Sequence, residues 1–65
     1  MKNEFGNNLK KIRICNNMSQ KELADILNVS YKTISHWENG YSEPDFELLI
    51  KIKNYFQVEY SDLLE

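Results

Sequence analysis

Sixty-five residues suffice for one domain with one small hydrophobic core, near the lower limit for folding without disulfides, a metal or a partner. Eight Lys and Arg against ten Asp and Glu leave a formal net charge of -2, so composition supplies no general field for polyanions, and any case for nucleic acid must rest on local arrangement. The single cysteine, Cys15, excludes an intramolecular disulfide, and no stretch is apolar for long enough to span a bilayer or serve as a signal peptide, so the expected setting is soluble and cytoplasmic.

Phe5, Leu9 and Ile12 recur at helical spacing and predict a first helix from about Glu4 to Cys15, ended by Asn16 and Asn17, which tolerate a left-handed exit. In MSQKEL, Ser19 is an N-cap and Glu22 stands three residues on, the pattern of a capping box, with Met18 and Leu23 placed as a hydrophobic staple. The second helix is thus expected over Gln20 to Leu27, burying Leu23, Ala24 and Leu27. After a turn of three residues, Ser30 caps a third helix from Tyr31 to Asn39, with Gly40 as its stop. Pro44 and Asp45 mark the start of a fourth, whose inward stripe reads Phe46, Leu49, Ile52 and Phe56, and Ser61 caps a short last turn, DLLE. No segment alternates with period two, so the expected class is all-α, a single domain over residues 1–65.

The third helix carries two faces. Ile34 and Trp37 lie three apart and belong to the core with Val29, whereas Lys32, Ser35, His36 and Asn39 share the other side. A solvated surface helix is usually filled with Glu and long ion pairs, and this stripe instead holds donors and acceptors of modest length, suited to base edges. The short turn and the small Ala24 let the second and third helices meet closely as a helix-turn-helix unit over residues 20–39. A helix of about 10 to 12 Å diameter fits a major groove about 12 Å wide.

With LKKIR before it and PDFELL after it, SQKELADILNVSYKTISHWENG resembles the Cro and phage-repressor (lambda-repressor-like) family of helix-turn-helix domains over nearly the whole chain. The resemblance implies a compact five-helix fold and assigns roles. Gln20 matches a position that contacts a DNA phosphate and braces the recognition helix. Tyr31, Lys32 and His36 match positions that reach base edges, with Thr33 and Ser35 beside them. Asn39, Tyr41 and Ser42 match the helix exit and loop, where phosphate contacts are typical. Arg13 and Glu38 match a structural ion pair tying the first helix to the end of the third, an assignment that physics supports because Arg13 adjoins an apolar stripe and Glu38 follows Trp37. The chain departs from the family's pattern after Asn-Gly, where Tyr41, Ser42 and Glu43 replace the usual basic residues, and at Gln57, where Gly is common.

His36 is the only histidine and Cys15 lies on another helix, so neither a metal site, a cofactor nor nucleophilic chemistry is expected, and the chain is read as no enzyme. Tyr55, Val58, Tyr60, Leu63 and Leu64 supply more apolar surface near the C-terminus than one small core needs, which suggests a homodimer interface. The expected function is a sequence-specific regulator of transcription, a repressor binding double-stranded DNA at a palindromic operator with no small-molecule ligand. A protein-interaction module, such as an antitoxin or adaptor built on the same fold, is the other reading.

Overall fold

In the computed structural model, which describes residues 4–65, the chain forms α1 (Phe5–Cys15), α2 (Gln20–Leu27), α3 (Tyr31–Glu38), α4 (Phe46–Phe56) and α5 (Tyr60–Leu64), and no strand occurs among the described residues. Residues 1–3, part of the expected domain, lie outside the described residues. Four of the five starts carry a side chain that satisfies an otherwise free backbone N–H. The Ser19 hydroxyl accepts from the Glu22 N–H at 3.0 Å while the Glu22 carboxylate accepts from the Ser19 N–H at 2.7 Å, closing the capping box. Ser30 accepts from the Thr33 N–H at 3.2 Å, and Asp45 from the Leu48 N–H at 2.9 Å. The fifth helix differs from expectation: it starts at Tyr60, one turn is set by Asp62 accepting from the Glu59 N–H at 2.8 Å, and Ser61 lies inside it.

The Ser19 backbone N–H, and after it the Ser19 hydroxyl, hold the Glu22 carboxyl below its ordinary value. A lowered folded value means that the box's contribution is complete above the unfolded value and is lost as pH falls through the folded one.

Every helix contributes to one core. Phe5 and Leu9 come from α1, Leu23, Ala24 and Leu27 from α2, Ile34 and Trp37 from α3, Ile52 from α4 and Leu63 from α5. Phe5 meets the Trp37 ring edge to face, with centroids 6.3 Å apart. Two expectations are corrected here. Phe46 is 69% exposed, because six residues of helix place it about 120° around from the buried Ile52, and Leu48 packs on the core in its stead beside the expected Leu49. Leu63 is fully buried and cannot belong to a dimer surface, since it is the apolar anchor by which the one-turn α5 docks on α1, where Asn8 also donates to the Leu63 carbonyl at 3.0 Å.

A feature that periodicity does not reveal joins α1 to α3. A Cβ added at Gly6 would overlap the Trp37 carbonyl oxygen and sit 3.0 Å from that of Glu38, so only glycine lets α1 lie against the exit of α3. Gly6→Ala should therefore lower stability by about 1 to 3 kcal/mol, the usual cost of overpacking, and an unchanged thermal midpoint would contradict the close approach. Gln57 exits α4 in the left-handed region at φ 56°, a conformation that glycine adopts without strain and a side chain does not. Gln57→Gly should raise stability by about 1 kcal/mol, relief of the left-handed strain exceeding the added unfolded-state entropy; a lower midpoint in denaturant would refute it.

Candidate nucleic-acid interface

The α2–turn–α3 unit is held by backbone and apolar contacts together. Asn28 leaves α2 at φ 59°, the Val29 N–H returns to the Ala24 carbonyl at 3.0 Å, and Ser30 begins α3 two residues later. Ala24 of α2 and Ile34 and Trp37 of α3 are buried in the common core, and α2 packs more extensively on α3 than any other pair of helices does. With Ile34 and Trp37 turned inward, Tyr31, Lys32, His36 and Asn39 are exposed on the opposite side, and Thr33 and Ser35 are half-buried between the two faces.

Beneath that face lies the pair Arg13 and Glu38, both buried. The Arg13 Nε donates to Glu38 Oε2 at 2.6 Å and Nη2 donates to Oε1 at 3.1 Å, a two-pronged contact, while Nη1 donates to the Met18 carbonyl at 2.7 Å. The Gln20 Nε2 adds a further donor to Glu38 Oε1 at 3.1 Å. No buried side-chain nitrogen or oxygen among the described residues lacks a partner. One carboxylate thus links the end of α1, the start of α2 and the end of α3.

This network also decides which way the Gln20 amide faces. Its nitrogen must point to the carboxylate, and the second hydrogen on that nitrogen is the donor left for an anion. Gln20→Glu would set two carboxylates against each other. Asn39 differs from expectation in detail: its Nδ2 donates to the Ser35 carbonyl at 2.8 Å and to the Ser35 hydroxyl at 3.3 Å, so it closes the end of α3 rather than extending a free donor. The Thr33 hydroxyl is likewise paired with that of Ser30 at 3.0 Å. Tyr31, Lys32 and His36 remain as the outward groups of α3, and the Tyr41 ring, 79% exposed, stands edge to face with His36 at 5.8 Å. Ser42 and Glu43 follow on the exposed loop.

Of the remaining expected surface residues, Tyr55 is half exposed, Tyr60 and Leu64 are more than a third exposed, and Val58 is half-buried against the core. The Tyr55 ring meets that of Phe56 at 5.0 Å, and Lys53 Nζ lies 5.2 Å from the Tyr60 ring centre. No group of His, Cys, Asp and Glu among the described residues is arranged to hold a metal, and no described helix is long and apolar enough to cross a membrane.

The unit has counterparts in known proteins. Residues 9–63 match the family described as Helix-turn-helix. The chain is 39% identical over 61 residues to the HTH-type transcriptional activator BcrR of Enterococcus faecalis, covering 94% of this chain and 30% of that protein. It is 36% identical over 60 residues to the antitoxin PezA of Streptococcus pneumoniae, covering 92% of this chain and 38% of that protein. A transcriptional regulator from Listeria innocua superposes with a TM-score of 0.91 at 26% identity, over 98% of this chain and 60% of the other. The chain therefore spans well under half the length of the two curated relatives named here.

Removing one partner of a buried ion pair leaves the other as a lone charge, at a cost of about 3 to 5 kcal/mol. Arg13→Met and Glu38→Met should each destabilise by about that amount, and the double variant by less than the sum of the two single losses. Additive losses in denaturant titrations would show that the two side chains act independently.

Proposed function

The chain belongs to the helix-turn-helix family, and from that premise we propose that it is a sequence-specific, double-stranded-DNA-binding regulator of transcription that inserts α3 into the major groove. One observation carries the reading: Tyr31, Lys32 and His36 lie outward on a helix whose other face is locked into the core through Ile34, Trp37 and Glu38. Lys32 offers a charged donor to guanine or phosphate, and the His36 imidazole offers its two ring nitrogens to a base edge. Gln20 presents its second amide hydrogen to a phosphate beside the groove.

The domain acts as a homodimer on a palindromic operator. Paired readers match paired half-sites about one DNA turn, roughly 34 Å, apart, and exposed Tyr55, Tyr60 and Leu64 offer the apolar surface for a second copy. Repression in the cytoplasm, by occupying a promoter, asks nothing of the domain beyond binding. The pneumococcal relative named an antitoxin favours a second reading, in which the same fold chiefly binds a protein.

Selection from a random duplex pool should enrich a palindrome. With three or four phosphates neutralised per protomer, the dimer's log affinity should fall with log salt at a slope of roughly -5 to -7, from about -0.9 per phosphate. No enrichment and a slope near zero would remove the DNA reading in favour of a protein partner.

A further inference from the structure

We propose that Tyr41 is a positioning residue for His36, fixing the orientation in which the imidazole meets DNA; the inference deepens the proposed function and rests on it. It starts from the exit of α3. The Gly40 N–H donates to the Trp37 carbonyl at 3.2 Å and the Tyr41 N–H to the His36 carbonyl at 2.9 Å. Gly40 has φ 80°, the left-handed conformation that glycine adopts without strain. These paired bonds and that φ define a Schellman motif, in which the residue after the glycine folds back onto the side chain five positions earlier.

Here the two residues so apposed are Tyr41 and His36. Their rings meet at 81° with centroids 5.8 Å apart, the edge-to-face arrangement favoured by aromatic quadrupoles. The contact restricts the imidazole of an otherwise exposed side chain before any ligand arrives. Ordering a base-reading group in advance removes part of the entropy lost on binding. Donor and acceptor nitrogens held in one direction distinguish base pairs, whereas a freely turning ring satisfies several. Tyr41 thus serves recognition through its neighbour's ring.

The test compares Tyr41→Phe, which keeps the ring, with Tyr41→Ala, which removes it, using the full chain and the duplex enriched by wild type together with variants at each base pair. The expected result is wild-type discrimination for Tyr41→Phe and, for Tyr41→Ala, an about two- to tenfold loss of discrimination confined to the pair read by His36. The His36 ring-proton resonances of the free protein should move in Tyr41→Ala and stay near their wild-type positions in Tyr41→Phe. Equal weakening of both variants on every sequence would overturn the proposal, assigning Tyr41 to a phosphate through its hydroxyl, and unchanged discrimination in Tyr41→Ala would overturn it as well. Failure of wild type itself to bind any duplex would instead overturn the proposed function, and this inference with it.

Discussion

Burying a guanidinium and a carboxylate inside so small a chain is unfavourable unless each finds the other and every remaining donor and acceptor is used. Arg13 and Glu38 meet both conditions, with the Met18 carbonyl and the Gln20 amide completing the set. The geometry that results is a joint constraint on three helices. Arg13 is near the end of α1, Met18 lies in the turn before α2, Gln20 opens α2 and Glu38 closes α3. Gly6 belongs to the same constraint, since the backbone of α1 must lie against Trp37 and Glu38 for Arg13 to reach its partner. Apolar packing alone tolerates sliding among similar arrangements, whereas a two-pronged ion pair admits one.

From this follows the division of α3. Its inner face is fixed by Ile34, Trp37 and Glu38, and its polar outer residues are thereby carried to a defined place on the surface. The backbone turns at both ends sharpen the placement. Ser30 caps the start, and the Gly40 turn folds the chain back so that the exit loop covers the last turn. Rigid support beneath a polar face is what recognition by a few hydrogen bonds requires, because a weakly charged domain has little general attraction for a polyanion to compensate for misplacement.

Much of this was legible in the residues. Capping signals at Ser19 and Ser30 and the apolar spacing of Leu23, Leu27, Ile34 and Trp37 locate α2 and α3 because local hydrogen bonding and burial act together there. The fourth and fifth helices were less legible. An apolar residue at the first position of a helix satisfies a periodic pattern loosely, and Phe46 falls off the buried stripe. Leu63 looks like surplus apolar surface in the sequence, yet a single turn such as α5 needs one deep anchor. The role of Gly6 depends on a contact across more than thirty residues, which no local pattern encodes. The spent amide of Asn39 is hidden for a different reason: its bonds to Ser35 are local, four residues back along α3, but its residue type reads equally well as a free donor.

The central claim is that α3 serves the core with one face so that the other can meet DNA. Mapping backbone amide shifts of the protein during titration with its selected duplex tests this most directly. The account predicts perturbations concentrated at Gln20, Tyr31, Lys32, His36 and Tyr41, with the amides around Leu9 and Ile52 in the core little changed. Perturbations centred on the exposed side of α1 around Ile14 and Cys15, with α3 unmoved, would contradict it.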